Sequence, residues 1–310
     1  MSLAVVFPGQ GSQSVGMQND LAEAFPVIQE TYAEASAVLG FDLWQLITVG
    51  SEEELKQTAI TQPALLTAGV AAWRAWLSQG GPKPELMAGH SLGEYSALVC
   101  AGVIEFSTAV MVVRKRGEFM QSAVPAGEGA MAAILNLDSA SIAGLCEQVD
   151  QLGVVQIANY NSPVQTVIAG TSAAVERVGQ LAIEAGAKRV VPLPVSAPFH
   201  CELMAPAAQE MAKLLADVTF NSPQIAVLNN VDVATESDPE AIKGALVRQI
   251  TGSVRWVELV EKMVTRKIHV VVECGPGKVL AGLGRRISRD LENRVLVDQS
   301  SLRDAAAELN

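Results

Sequence analysis

Apolar and polar positions alternate along the first part of the chain in a way that predicts strands separated by helices. Residues 3–7 and 86–88 are short apolar runs bounded by loops, as is typical of buried strands. Residues 17–77 and 107–121 carry apolar positions at helical spacing, with Pro63 among the breaks in the pattern. Strands that alternate with helices form mostly parallel sheets covered on both faces, so we expect an α/β domain.

A different order of elements begins after the glycine-containing segment 125–129. The pattern there predicts, in order, strand 130–135, helix 139–149, strand 154–158, a turn at 159–163, strand 164–169, helix 173–185 and strand 189–193. That order, β-α-β-β-α-β, is the order of the ferredoxin-like unit. Because the unit is complete in itself, we predict a small inserted domain at residues 125–197.

The larger domain is predicted to comprise residues 1–124 and 198–310. Residues 202–218 show a helical apolar face, formed by Met204, Ala208, Met211 and Leu215. Residues 225–228 and 269–273 are apolar runs that predict two further buried strands. The expected fold class is therefore α/β, with a hydrolase-like core of mostly parallel strands and a ferredoxin-like insertion.

The carboxyl ends of the parallel strands are where a ligand is expected to bind, since ligands of such sheets lie beyond those ends. Phe7, Ala88 and Glu273 are the last residues of three predicted strands. We therefore expect the loops that follow these three residues to meet, and we expect the functional site to be there.

The second of these loops contains a GxSxG motif, residues 89–93, between a predicted strand and a predicted helix. This is the context of a nucleophile elbow, in which glycines leave room for a tight, strained turn. The motif predicts Ser91 as a nucleophile at a helix N-terminus, where free amides and the helix dipole favour negative charge. The amide of Leu92 is well placed to donate to an oxyanion, whereas the alternative is a helix-capping serine.

A nucleophilic serine needs a base, and the chain has 3 histidines. His90 adjoins the serine on a sharp turn and is expected to support the loop, and His269 opens an apolar strand. Elimination therefore favours His200, which follows a proline-containing loop. Asp138 and Asp150 lie between serine and histidine in sequence, but both fall in the predicted insertion. We therefore expect a group other than a carboxylate, such as a backbone carbonyl, to orient the imidazole.

Two further positions have several interpretations. The loop 9–13 is rich in glycine but does not match a phosphate-binding fingerprint. At a strand end beside the serine, it either supplies a second oxyanion donor, the amide of Gln10, or is an ordinary turn. An arginine on the helix after the elbow can grip a carboxylate, but spacing does not distinguish Arg116 from Arg114 and Lys115.

Charge and cysteine content narrow the function classes. The net charge of −11 argues against nucleic acid as a partner, since phosphate contacts need clustered Lys and Arg. No apolar run reaches the ~20 residues of a membrane helix, and no basic leader precedes the first strand. The cysteines are Cys100, Cys146, Cys201 and Cys274. Their spacing predicts neither a metal site nor a redox pair, so we expect a cytoplasmic protein.

Six short stretches together carry a resemblance to a known family. They are FPGQGSQ (7–13), GHSLGEYSAL (89–98), RG (116–117), NYNSP (159–163), VSAPFH (195–200) and ECGPG (273–277). In this order and spread over nearly the whole chain, they resemble the malonyl-CoA:acyl carrier protein transacylases of bacterial fatty-acid synthesis. They are also similar to the acyltransferase domains of polyketide and animal fatty-acid synthases. The combination is far more specific than any one stretch.

The resemblance implies roles for the reacting groups. Ser91 would become malonylated, and His200 would take its proton and later activate the incoming thiol. The main-chain carbonyl of Gln249 would orient His200 in place of an aspartate, which would explain the missing acid.

The same resemblance implies the groups that bind the acyl moiety. The backbone amides of Gln10 and Leu92 would form the oxyanion hole, and Arg116 would hold the free malonyl carboxylate. Phe199 matches the malonyl-selecting form of its motif. The chain shows no departure from the family pattern at these positions.

The implied reaction transfers malonyl from malonyl-CoA to the phosphopantetheine thiol of acyl carrier protein, with ping-pong kinetics and no metal or cofactor. We expect a monomer that meets the carrier only transiently. Because carriers are acidic and so is this chain, docking needs a local basic patch. We expect the pairs Lys188-Arg189 and Arg285-Arg286 to contribute to it.

Two other functions share part of this pattern. A serine thioesterase or other hydrolase would use the same elbow and base, but it would need no buried arginine and normally keeps an acidic third residue. A non-catalytic relative that only binds carrier or coenzyme A would have no need for an intact set of Ser91, His200 and Arg116. The sequence therefore favours the transferase.

Overall fold

The computed structural model describes residues 2–310; Met1, which the sequence analysis placed in the larger domain, lies outside them. The strands of this range are β1 (Leu3–Phe7), β2 (Leu86–Gly89), β3 (Gly129–Leu135), β4 (Val155–Ser162), β5 (Gln165–Thr171), β6 (Arg189–Pro192), β7 (Ala226–Leu228), β8 (Val270–Glu273) and β9 (Glu292–Val295). The helices are α1 (Asn19–Ala24), α2 (Val27–Leu39), α3 (Leu43–Val49), α4 (Glu52–Lys56), α5 (Thr58–Ser78), α6 (Gly93–Cys100), α7 (Phe106–Ser122), α8 (Ser139–Glu147), α9 (Ser172–Glu184), α10 (Ala205–Ala216), α11 (Pro239–Thr251), α12 (Trp256–Thr265), α13 (Val279–Ile287) and α14 (Gln299–Leu309). Within residues 2–310, no helix is long and apolar enough to cross a membrane.

A parallel sheet with strand order β7-β2-β1-β8-β9 forms the centre of the larger part of the fold. Its central strand β1 is buried along its whole length, and successive residues point to opposite faces. Val5 and Phe7 pack into a core with α5 and α7, whereas Ala4 and Val6 pack into a second core with α12 and α13. The prediction of a mostly parallel sheet covered on both faces is thus confirmed.

A second sheet with strand order β4-β5-β3-β6 is antiparallel throughout. Helices α8 and α9 pack on one face of it, around a core that includes Ile134, Ile142, Ile168 and Val178. This strand order and the β-α-β-β-α-β sequence of elements are those of the predicted ferredoxin-like unit. The assignment of residues 125–197 as an inserted domain stays a prediction.

Three local predictions differ from the structure, and one strand was missed. Pro63 lies inside α5 and does not break the helix, because α5 is buried along most of its length and packing outweighs the local cost of proline. The predicted turn at 159–163 is mostly strand, since β4 continues to Ser162 by pairing with β5, and Asn159 also bridges to Val254. The predicted helix 202–218 begins with a 3-10 turn, and the edge strand β9 was not predicted.

The loops after β1, β2 and β8 meet, as predicted. A Cβ atom on Gly9 would lie 2.4 Å from the carbonyl oxygen of His90, so the first two loops are in direct contact. A Cβ atom on Gly275 would lie 3.0 Å from Pro8, which brings the loop after β8 against the first loop. Only glycine permits such close approaches of one backbone to another.

Candidate active site

The GxSxG motif forms a tight turn between β2 and α6. Ser91 has φ 52°, in the left-handed region that non-glycine residues rarely adopt. A Cβ atom on Gly89 would lie 1.8 Å from the carbonyl carbon of Gly93, and one on Gly93 would lie 2.0 Å from the carbonyl oxygen of Phe7. Both glycines are therefore required by space, and the serine projects from a strained elbow beside the end of β1.

His200 lies directly against the serine. Its Nε2 atom is 2.7 Å from Ser91 Oγ, and its Nδ1 atom is 2.9 Å from the main-chain oxygen of Gln249 and 3.2 Å from that of Gly252. Because Nδ1–H donates to a carbonyl, Nε2 is left as the acceptor for the serine hydroxyl. The structure thus brings together Ser91, His200 and the Gln249 carbonyl. The group that orients the imidazole is therefore a neutral carbonyl oxygen and not a carboxylate.

The imidazole of His200 is held in its neutral form. It is buried, and burial together with the positive charge of Arg116 lowers its pKa to about 3. A neutral imidazole near pH 7 has a lone pair available on Nε2. The arrangement can therefore accept the serine proton when Oγ attacks an electrophile.

Arg116 on α7 points to the same hydroxyl. It is 1% exposed, and it donates from Nη1 to Gln62 Oε1 at 3.0 Å, from Nη2 to Gln249 Oε1 at 2.9 Å, and from Nη2 to Ser91 Oγ at 3.2 Å. Its Nε atom is buried and, in the part of the chain that the structure describes, has no hydrogen-bond partner. The guanidinium thus donates to three neutral side chains, and of its five N–H groups those on Nε and one on Nη1 have no partner among the described residues.

The structure separates Arg116 from its two basic neighbours. Arg114 and Lys115 both form ion pairs with Glu118 on the surface of α7, and all three of these side chains are at least one-third exposed. The spacing along the sequence left the three residues equivalent, whereas burial singles out Arg116. Burial also lowers the pKa of its guanidinium below the ordinary value.

A cavity of about 100 Å³ lies in front of the serine hydroxyl. The loops after β1 and β2 of the larger sheet supply Gln10 and Leu92 to the wall of this cavity. Strands β3 and β4 of the smaller sheet supply Met131 and Asn159. Within residues 2–310, the backbone amides of Gln10 and Leu92 donate no hydrogen bond to another protein group. They are therefore free to bind an oxyanion, as a pair of amides must be to stabilise one.

His90 lies at the wall of the same cavity but makes its contacts with β4 and Trp256. Its Nε2 atom is 2.9 Å from Asn161 Oδ1, and its ring packs 5.6 Å from that of Trp256. Burial lowers its pKa below the ordinary value. These contacts agree with the expectation that His90 supports the loop, because it connects the elbow to β4.

Asn230 and Glu94, which were not among the predicted site residues, hold the elbow from behind. Asn230 Oδ1 accepts the amide of Ser91 at 2.7 Å, and Asn230 Nδ2 donates to the carbonyl of Gly89 at 2.7 Å. Glu94 Oε2 accepts the amide of Asn230 at 2.9 Å and the side-chain amide of Gln249 at 2.8 Å. A signal for Glu94 was present, since it is the one charged residue in the otherwise apolar segment 93–100.

The four basic residues expected at a docking surface are all exposed and lie near one end of the smaller sheet. Arg189 in β6 pairs with Leu135, and Leu135 pairs on its other side with Gln165. Arg286 at the end of α13 donates to Gln165 Oε1 at 3.5 Å. Adjacent strands are about 4.8 Å apart, so Arg189 and Gln165, the residue that Arg286 contacts, lie roughly 10 Å from each other across the sheet. Lys188 and Arg285 are their direct neighbours in sequence.

Comparison with known proteins places this fold and site in a family. The model of the acyl transferase domain family matches residues 4–299, so the class of the protein is that of the acyl transferases. The malonyl CoA-acyl carrier protein transacylase of Escherichia coli (strain K12) is 56% identical over 306 residues, which cover 99% of each chain. This chain therefore belongs to the malonyl CoA-acyl carrier protein transacylases.

Solved structures agree with this assignment. An acyl carrier protein S-malonyltransferase from Vibrio cholerae O1 biovar eltor is 56% identical, with a TM-score of 0.96 over 98% of this chain and 99% of that one. A malonyl-transacylase solved in complex with its type II PKS acyl-carrier protein is 54% identical, with a TM-score of 0.98 over 99% of this chain and 100% of that one. The fold of this chain is thus shared along its whole length.

Proposed function

We propose that this chain transfers a malonyl group from malonyl-CoA to acyl carrier protein through a malonyl ester of Ser91. The observation that carries the proposal is the position of Ser91 Oγ, 2.7 Å from His200 Nε2 and 3.2 Å from Arg116 Nη2. One hydroxyl thus touches both a base and a group that binds carboxylates. The names of the relatives, which are transacylases of malonyl CoA and acyl carrier protein, support this choice of donor and acceptor.

In the first half-reaction, Ser91 Oγ attacks the thioester carbonyl of malonyl-CoA, and its proton passes to His200 Nε2. The amides of Gln10 and Leu92 stabilise the oxyanion of the tetrahedral intermediate. The carbon–sulfur bond then breaks, and His200 returns the proton to the departing coenzyme A thiolate. The carbonyl oxygen of Gln249 stabilises the imidazolium in between, as a carboxylate does in a familiar triad.

Arg116 selects the acyl group in this proposal. Its unpartnered Nε–H and its Nη groups form the kind of planar fork that binds carboxylates bidentately. A neutral acyl group of similar size would leave the buried guanidinium without a charged ligand. The ion pair would also fix the ester in one position, away from attack by stray water.

In the second half-reaction, the phosphopantetheine thiol of acyl carrier protein takes the place of coenzyme A. His200 accepts the thiol proton, sulfur attacks the ester carbonyl, and Ser91 recovers its proton as the ester breaks. We assign docking of the acidic carrier to the basic cluster, defined as Lys188, Arg189, Arg285 and Arg286. These steps need no metal or cofactor, and one chain supplies every group, so we propose a cytoplasmic monomer.

Intact mass spectrometry after brief mixing tests the proposal. Wild-type protein should gain a malonyl adduct from malonyl-CoA and little acetyl adduct from acetyl-CoA, whereas Ser91→Ala should gain neither. Ser96→Ala, which changes a buried serine on α6 away from the cavity, is the matched control and should keep the adduct. A malonyl adduct on Ser91→Ala, or no adduct on wild type, would overturn the proposal.

A further inference from the structure

The amide side chain of Gln249 connects two buried charges. Its Oε1 atom accepts a hydrogen bond from Arg116 Nη2 at 2.9 Å, and its Nε2 atom donates to Glu94 Oε2 at 2.8 Å. The exposed fractions of Arg116, Gln249 and Glu94 are 1%, 0% and 2%. Arginine and glutamate are rarely buried without a partner of opposite charge, and here the partnership runs through a neutral amide.

Few other charges act on Glu94. Arg116 on α7 attracts the carboxylate, and Asp232 after β7 repels it, although Asp232 is exposed and pairs with Arg248. Tyr95 is its neighbour on α6, and His200 lies on the far side of Gln249, where its lowered pKa keeps it neutral. Among these groups, Arg116 is the positive charge that balances Glu94.

A substrate carboxylate bound to Arg116 would put two acids on one buried guanidinium. Two carboxylates that share one site cannot both ionise freely, because each raises the free energy of the other's charged form. The substrate acid is in direct contact with the guanidinium, so it keeps its charge more easily. The free-energy cost of the second negative charge therefore falls on Glu94, which contacts Arg116 only through the side-chain amide of Gln249.

We propose that Glu94 controls how tightly Arg116 holds a substrate carboxylate, and that Glu94 takes up a proton from solvent when that carboxylate binds. The inference rests on the proposed function, since it concerns the malonyl carboxylate. Glu94 acts through Gln249 and Arg116 and touches no reacting atom, so its role is that of a positioning residue that also adjusts charge.

The local geometry allows this protonation. Glu94 accepts both of its hydrogen bonds, from Asn230 N and Gln249 Nε2, on the single atom Oε2. A proton on Oε1 would leave both of these bonds in place. Burial already raises the pKa of Glu94 to about 7, against attraction by Arg116, so a proton is available to it near neutral pH.

The sign of the pH dependence follows. Above about pH 7, ionised Glu94 competes for Arg116 and repels the incoming carboxylate, so malonyl-CoA binds more weakly as pH rises. Uptake of one proton per ligand corresponds to a change of about tenfold in Kd for each pH unit. Acetyl-CoA carries the same coenzyme A phosphates without the carboxylate, so its Kd should not share this dependence.

Calorimetric titration at pH 6, 7 and 8, in buffers of different ionisation enthalpy, tests the proposal. The Ser91→Ala variant prevents acylation, and Glu94→Gln in that background removes the charge while leaving an amide oxygen at the position of Oε2. Ser91→Ala should take up nearly one proton with malonyl-CoA at pH 8 and none with acetyl-CoA. The added Glu94→Gln should abolish the uptake and strengthen malonyl-CoA binding several-fold at pH 8.

Glu261→Gln, an exposed change on α12 with the same loss of charge, is the control and should leave the uptake intact. The proposal is wrong if uptake persists in Glu94→Gln, or if malonyl-CoA binds with the same pH dependence as acetyl-CoA. If the double variant does not fold, the absence of proton uptake by Ser91→Ala with malonyl-CoA at pH 8 would still overturn the proposal. Failure of the proposed function would instead show as a missing malonyl adduct on wild-type protein.

Discussion

The main-chain oxygen of Gln249 lies 2.9 Å from Nδ1 of His200, in the position that a carboxylate occupies in a Ser-His-Asp triad. The side chain of the same residue accepts from Arg116 and donates to Glu94. One residue near the end of α11 thus contacts the proposed base through its backbone and the proposed carboxylate-binding arginine through its side chain. The two functions can therefore be separated by mutation.

Replacing Gln249 by alanine removes the side chain and keeps the main-chain carbonyl. We expect malonyl transfer to fall by ~10–100-fold, since hydrogen bonds to charged groups contribute roughly 1.5–3 kcal/mol. The loss should appear mainly as a higher KM for malonyl-CoA and a weaker preference over acetyl-CoA. The pH profile of acylation should keep its shape because His200 retains its carbonyl partner. Gln180→Ala, an exposed change on α9, is the control, and equal losses for both acyl donors would contradict this account.

The low pKa of His200 predicts how acylation depends on pH. A histidine whose pKa lies at about 3 is unprotonated throughout pH 5–8, so its loss of a proton limits nothing in that range. At saturating malonyl-CoA, the single-turnover rate of acylation should therefore be flat from pH 5 to 8. A rate that rises with a midpoint near 6.5 would show an imidazole with an ordinary pKa. His200→Ala should reduce the rate by ~10²–10⁴ at every pH.

Arg116 is predicted to decide which acyl group is used. Arg116→Ala removes the buried partner of the substrate carboxylate, and breaking such a pair costs about 3–5 kcal/mol. kcat/KM for malonyl-CoA should therefore fall by more than ~100-fold, whereas that for acetyl-CoA should change far less. Arg114→Ala, which removes a surface pair with Glu118 and contacts with Leu39 and Phe41 outside the cavity, should leave both values nearly unchanged. If kcat/KM fell equally for malonyl-CoA and acetyl-CoA, Arg116 would be needed for the folded state and not for recognition of the malonyl carboxylate.

The close contacts of Gly93 predict that Gly93→Ala destabilises the fold more than Gly144→Ala does. Gly93→Ala would bring a methyl group to 2.0 Å from the carbonyl oxygen of Phe7, so β1 and α6 would have to separate. We expect a loss of unfolding free energy of at least ~2 kcal/mol in urea denaturation, with loss of the serine adduct. Gly144→Ala is the matched change in α8, where a Cβ atom meets nothing within 4 Å. It should be neutral or stabilising by ~0.5–1 kcal/mol, and similar effects for the two variants would contradict the clash.

The basic cluster predicts an effect confined to the carrier. Arg189→Glu combined with Arg286→Glu should raise KM for acyl carrier protein and leave KM for malonyl-CoA unchanged. The effect should shrink as salt is added, because rim charges act mainly on association. Lys83→Glu, at an exposed position before β2, is the control. If both constants rise together, or if the control behaves alike, the carrier docks elsewhere.

Sequence patterns located the elbow and the base because both depend on local signals. GxSxG between strand and helix identifies Ser91, and the small number of histidines leaves His200 by elimination. Spacing did not distinguish Arg116 from Arg114 and Lys115, because consecutive residues on a helix differ only in the direction they face. The resemblance to the family selected Arg116. The structure provides that direction through burial.

Asn230 gives no signal in the sequence because its role lies in contacts between distant segments, whereas Glu94 shows only as the one charged residue of segment 93–100. Asn230 follows β7 and clamps a turn that is 139 residues away in sequence. The error at residues 159–162 has a related origin, since Asn and Tyr favour a turn locally while pairing with β5, and a bridge from Asn159 to Val254, hold them in β4. Local propensity loses to tertiary pairing in both places.

The fate of the acyl group in a single turnover distinguishes transfer to the carrier protein from hydrolysis. Protein carrying malonyl-Ser91 is freed of excess malonyl-CoA and mixed with either acyl carrier protein or buffer, and the adduct is followed by quenched-flow mass spectrometry. A malonyl transferase should pass the group to the phosphopantetheine thiol at least ~100-fold faster than water removes it. If malonate appears in buffer as quickly as malonyl-carrier appears in the presence of carrier protein, the chain is a hydrolase and the account is wrong.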